Sequence, residues 1–243
     1  MYEPLAALAA IDTNTTPIFI ALLIVVIAVF IYWIAAWRVA QRDQVYVVPF
    51  IGIAVFFWHD LSFVLEYDKW FNVYDHWWVK MWWYALAASV VFEALYIYHV
   101  IKWGRKDFFH AFSQTRFTAL VLLATAGIGA IWFLFKTVMQ DELFFITFAI
   151  TAVWSVPLHT GLMARRQSRK GQSAVMELST IPMILALSYA FSHVSDFFSS
   201  TVYLTFVAVT VAWALMNVWL MYQLPAERTQ DEPQLGNSVG QIA

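Results

Sequence analysis

The chain has 243 residues, of which 62% are hydrophobic and only 12% charged, and its formal net charge is −2. That composition excludes an ordinary soluble domain, and a near-neutral charge with basic residues scattered through short loops excludes a nucleic-acid partner. The absence of cysteine excludes disulfide frameworks, thiolate metal sites and cysteine nucleophiles.

Residues 1–16 carry Glu3 and Asp12 but no Lys or Arg, so they lack the positive n-region of a cleavable signal peptide and read as a retained, short external segment. Seven stretches then reach the roughly 20 mostly apolar residues needed to cross the hydrocarbon core: 17–37, 45–65, 79–103, 117–138, 143–163, 174–194 and 201–224. They predict an all-α, polytopic membrane protein, a single seven-helix domain over 17–224 in contact with the lipid bilayer. The tail, 225–243, contains Glu227, Arg228, Asp231, Glu232, Pro233 and Gly236 and reads as a solvated, disordered end.

Basic residues divide unequally between alternate loops. One side holds Arg38, Arg42, Lys102, Arg105, Lys106, Arg116, Arg165, Arg166, Arg169, Lys170 and Arg228, the other only Lys69, Lys80 and Lys136. Positively charged loops stay cytoplasmic, so the expected topology is N-terminus outside and C-terminus inside a cytoplasmic membrane, read as bacterial. The two halves also echo one another. Arg38, Arg42 and Gln44 after the first span match Arg166, Lys170 and Gln172 after the fifth, and Glu93 and Tyr98 match Asn217 and Tyr222. These echoes suggest a 3+1+3 pseudo-repeat with a cavity between the repeats near the midplane.

Ionisable side chains are costly inside a bilayer and point to function; Asp60 in the second span and Glu93 in the third are the clearest. By helical rise Asp60 lies about 20 Å from the cytoplasmic end of its span and Glu93 about 20 Å from the outer end of its own, so the two need not touch. The alternative is that each carboxyl pairs with a neighbouring Tyr, Trp or Ser and glues helices. Glu177, Asp196 and Glu66 stand near span ends, where water or headgroups would solvate them, and read as structural. His59 and His193 lie near Asp60 and Asp196, but no HxxxH or HExxH spacing supports a metal, and neither metal nor other cofactor is expected. The chain holds 13 Trp, 11 Tyr and 21 Phe, whose π faces can stabilise a cation. The run Trp77, Trp78, Trp82, Trp83 and Tyr84 reads as an interfacial belt; Trp154, Trp213 and Trp219 read as the deeper, substrate-facing aromatics. Ser173, after the basic turn at 165–172, is placed to cap the sixth span.

Three segments resemble the small integral-membrane terpene cyclases of meroterpenoid and indole-terpenoid pathways. Asp43-Gln44-Val45-Tyr46 followed by Phe57, His59, Asp60 and Leu61 is similar to that family's Asp-Lys-x-Tyr and Trp-Glu-Leu, with Asp60 on the catalytic Glu and His59 in place of the Trp. Residues 166–173 are similar to its Arg-Gly-Ser-Thr-Arg-Gly-x-Ser loop. Asn217 falls near its second catalytic acid, so one carboxyl is missing. The resemblance implies acid-initiated cyclisation of a lipophilic isoprenoid substrate, with Asp60 as proton donor, Glu93 and Asn217 completing the catalytic set, and His59, Trp154, Trp213 and Trp219 against the substrate. More loosely, the repeat plan looks like carriers of the PQ-loop and SWEET type, although Pro157 is followed by Leu158 rather than Gln. A non-catalytic subunit packing against other membrane proteins is the third expectation.

Overall fold

The computed structural model describes residues 2–227; the tail beyond Glu227, with Arg228 of the charge asymmetry, lies outside the described residues. All regular elements among the described residues are helical: α1 (Pro4–Thr13), α2 (Thr15–Asp43), α3 (Phe50–Leu65), α4 (Trp77–Trp103), α5 (Arg105–Phe108), α6 (Gln114–Met139), α7 (Phe145–Arg166), α8 (Ala174–Ser192) and α9 (Thr201–Gln223), with a π turn at Lys69–Val73 and a 3-10 turn at Asp196–Ser199. Six of these, α2, α4, α6, α7, α8 and α9, are long and apolar enough to cross a membrane. The protein is an integral membrane helical bundle.

The second predicted span does not form one continuous helix. Gln44 takes a left-handed conformation (φ 54°) and closes α2; residues 45–49 form no helix, and α3 starts only after Pro49, which has no N–H to donate and fixes its own φ. The 16 residues of α3 rise about 24 Å, short of the roughly 30 Å core. The non-helical backbone at 45–49 is covered by protein: Tyr46, Val47 and Val48 are buried, while Arg166 donates to the Tyr46 carbonyl at 2.9 Å.

Helix ends follow the local chemistry. Glu3 caps α1 by accepting from the N–H groups of Leu5 and Ala6, Ser113 caps α6 by accepting from Arg116, and Ser173 caps α8 by accepting from Val175, as its position suggests. α1 was not anticipated as an ordered element. Its Ala7, Leu8 and Ile11 are buried in one core cluster with Ile18, Trp70, Trp78, Phe144 and Phe145, so α1 folds over the bundle at what is called here the amino face. Tyr2 fastens it, donating to Asp141 Oδ1 at 2.5 Å and accepting from the Leu143 N–H at 2.9 Å.

α2 packs along α8 and α3 along α4; α9 lies on α8 and α7, α6 on α3, and α7 reaches α3, α8 and α9. α3, α7 and α8 are thereby interior, whereas α2 and α4 barely meet. Small residues set the tightest approaches: a Cβ on Gly129 of α6 would stand 2.4 Å from the Trp58 ring of α3, and one on Gly52 would stand 2.9 Å from Leu158. Trp58 is held there by donating its Nε1–H to the Thr125 carbonyl at 2.7 Å. At the opposite, carboxy face, Arg165 and Arg166 converge on Asp107 and Tyr46, and the Gly171 N–H donates to Asp43 Oδ2 at 2.8 Å.

Candidate active site

A cavity of about 100 Å³ lies among α2, α3, α4, α7 and α8, next to the weakly packed seam between α2 and α4. Its walls are mainly apolar and aromatic, with Val25, Val29, Phe30 and Trp33 from α2, Phe56 from α3, Trp82 from α4, Phe148 from α7 and Met183 and Leu187 from α8. Into this surface project Asp60 of α3, Ser89 and Glu93 of α4, Tyr32 of α2, Thr151 and Ser155 of α7 and Thr180 of α8.

Asp60 and Glu93 are neighbours in the cavity wall. Glu93 Oε2 is buried with no hydrogen-bond partner. Asp60 is held by His59, whose Nδ1 lies 2.6 Å from Oδ1. The His59 ring is fully buried against Trp132, Phe144 and Phe148, and its Nε2 has no partner. Adjacent positions on a helix point about 100° apart, yet these two side chains curl together. His59 therefore orients the acid from behind and does not line the cavity.

Other expected substrate-facing residues lie elsewhere. Trp154, Trp213 and Trp219 are 42%, 36% and 59% exposed and face outward from the bundle. Depth along a span says nothing about facing when the surroundings are as apolar as the interior. The aromatics that do line the cavity are Phe30, Tyr32, Trp33, Phe56, Trp82 and Phe148; Trp82 belongs to the run read as a belt.

Asn217 is fully buried but does not adjoin the Asp60–Glu93 pair. Its Nδ2 donates to Glu177 Oε2 at 3.0 Å and to the Val156 carbonyl at 2.8 Å, and its Oδ1 accepts from Thr160 at 2.5 Å. Glu177, read from sequence as a solvated helix-end acid, is 1% exposed. Its Oε1 lies 2.5 Å from His159 Nδ1, and His159 Nε2 lies 3.1 Å from the Tyr32 hydroxyl. Trp213 closes this network by donating to Thr160 at 2.8 Å.

Outside the spans, burial first and the Asp141 carboxylate second push the Tyr2 hydroxyl well above the usual tyrosine range. No group of three or more His, Asp or Glu side chains placed to hold a metal ion occurs among the described residues.

Fold and site together define a polytopic helical membrane protein enclosing an acid-bearing, aromatic-walled cavity within its bundle. Comparison of the chain with family models, with curated proteins and with solved structures finds no match in any of the three.

Proposed function

We propose that this protein is a membrane-embedded, acid-initiated cyclase acting on a lipophilic isoprenoid or isoprenoid-bearing substrate. The observation that carries the reading is the Asp60–Glu93 carboxyl pair in an aromatic cavity. A proton held between two buried carboxyls can be delivered to an epoxide oxygen or a terminal alkene, and Asp60 is the donor because His59 fixes its other side. Phe30, Trp33, Phe56, Trp82 and Phe148 supply π faces for the resulting cation, and apolar walls keep water from quenching it.

Ligand pockets usually run to several hundred Å³, so about 100 Å³ accommodates the reacting terminus of a prenyl chain and not a whole polycyclic product. The remainder of the chain lies in the α2–α4 seam, which widens as substrate enters. We further propose that α3, prolonged by residues 45–49, makes the seventh pass, and that the N-terminus is external.

The test supplies the purified protein in lipid nanodiscs with the terminal epoxide of geranylgeraniol. A cyclised isomer is expected from the parent and none from Asp60→Asn. Absence of product from the parent, or undiminished product from Asp60→Asn, overturns the reading.

A PQ-loop-type carrier remains the second reading, favoured by one feature. Exchanging α2, α3 and α4 for α7, α8 and α9 maps the α2–α8 contact onto α7–α3 and the α3–α4 contact onto α8–α9. Uptake of a labelled solute into proteoliposomes, abolished by Glu93→Gln, would support that reading against the cyclase.

A further inference from the structure

The cavity has a second polar pole that the proposed donor does not use. Tyr32, on the wall opposite α3 and α4, is hydrogen-bonded through His159 to Glu177, and the whole chain is buried: Tyr32 is 7%, His159 0% and Glu177 1% exposed.

The partners fix the orientation of the Asn217 amide. The Val156 carbonyl can only accept, so the Asn217 group facing it at 2.8 Å is the amide NH₂. The same NH₂ donates to Glu177 Oε2, and Thr160 donates to the Asn217 oxygen while accepting from Trp213. Glu177 Oε2 therefore accepts; with Glu177 ionised its Oε1 accepts too, and in that state His159 carries its proton on Nδ1, facing Oε1 at 2.5 Å, and presents a lone pair at Nε2 to the Tyr32 hydroxyl. A carboxyl that orients an imidazole, whose far nitrogen takes a hydroxyl proton, is the arrangement that makes a weak hydroxyl act as a base.

We propose that Tyr32 is the residue that accepts the terminating proton in this cavity, with His159 and Glu177 as positioning residues acting through it. The inference rests on the cyclase reading for its substrate. In the terminating step a C–H bond beside the cation breaks and its electron pair becomes the new C=C bond. The released proton passes to the Tyr32 oxygen as the hydroxyl's own proton moves to His159 Nε2. The resulting imidazolium faces Glu177. One proton enters the substrate from the Asp60–Glu93 pair and one leaves to His159, so the reaction is a net isomerisation. Return of that proton through water in the emptied cavity resets both poles.

The experiment has one arm that needs no substrate. Full-length protein labelled with ¹⁵N-histidine in nanodiscs, with the His159 signals assigned by their loss in His159→Asn, should show a protonated Nδ1 and a hydrogen-bonded lone pair at Nε2. Tyr32→Phe should shift only the Nε2 resonance, to that of an unbonded lone pair. A proton on Nε2 in the parent, or a spectrum unmoved by Tyr32→Phe, overturns the proposal. The second arm uses the terminal epoxide of geranylgeraniol. Tyr32→Phe should still consume it but slow termination by about 100-fold, replacing the deprotonated product with water-quenched alcohols; Glu177→Asp should restore more of the parent product than Glu177→Ala. An unchanged product ratio in Tyr32→Phe overturns the proposal. If the parent leaves the epoxide untouched, the cyclase reading fails while the His159 tautomer still decides whether the relay exists.

Discussion

Asp60 has one methylene fewer than a glutamate, and the side chain that compensates is its own neighbour. His59 Nδ1, 2.6 Å away, orients the shorter acid; on the cyclase reading proposed above, Asp60→Asn is expected to lower cyclisation by at least about 100-fold while leaving the circular-dichroism spectrum and melting profile near those of the parent. A second expectation concerns Asn217. Equal depth along the helices suggests a shared pocket for Glu93 and Asn217, but depth does not fix azimuth, and Asn217 is bonded to Glu177 instead. Thermal stability in a double-mutant cycle should therefore show coupling of about 0.5 to 3 kcal/mol between Glu177→Gln and Asn217→Ala, and additivity between Glu93→Gln and Asn217→Ala. Asp60 and Glu93 were each legible in sequence, because both stand deep in apolar spans, but their meeting in one cavity was not, because depth counted from opposite ends of two helices implied no contact. The Tyr32–His159–Glu177 chain was not, because Glu177 lies in the first turn of α8 and looks solvated. A usable signal was present: Glu177, Thr180, Ile184, Leu187, Ser188 and Phe191 fall on one helical stripe, and all are buried.

Among the elements, the long apolar helices follow directly from composition, whereas α3 does not, because hydropathy cannot see that α2 closes at the left-handed Gln44 and that the helix within the 45–65 stretch starts only after Pro49. The register of α3 against α6 depends on one glycine. Gly129→Ala places a methyl where the Trp58 ring now stands, and repacking should cost about 1 to 3 kcal/mol, read as a lower melting temperature in detergent micelles. Gly127 has open space at the same position, so Gly127→Ala is the matched control and should leave the melt unchanged or slightly raised. α1 makes a different prediction. Because the folded protein holds the Tyr2 proton to a higher pH than the unfolded chain does, its contribution is fully present below the unfolded value of about 10 and is lost as pH rises beyond it. Protease cleavage within residues 1–14 should increase on raising the pH past that point, and Tyr2→Phe should remove most of the pH dependence.

For the whole molecule, the eleven-to-three division of basic residues predicts sidedness that labelling can check. A cysteine introduced at the exposed Asn72 should react with a membrane-impermeant maleimide in intact cells, and a reporter fused after Ala243 should be active only in the cytoplasm; the reverse at both positions would invert the topology. The seam between α2 and α4 has a kinetic consequence. α1 covers the amino face and the Arg165–Arg166–Asp107 cluster ties the carboxy face, so on the cyclase reading proposed above a lipophilic substrate would arrive sideways from the bilayer. Its effective concentration is then a mole fraction in lipid, not a molarity in water. A cyclase fed in that way would obey surface dilution: adding inert phospholipid at fixed total substrate should depress the rate, whereas changing the aqueous volume at a fixed substrate-to-lipid ratio should leave turnover per protein unaltered.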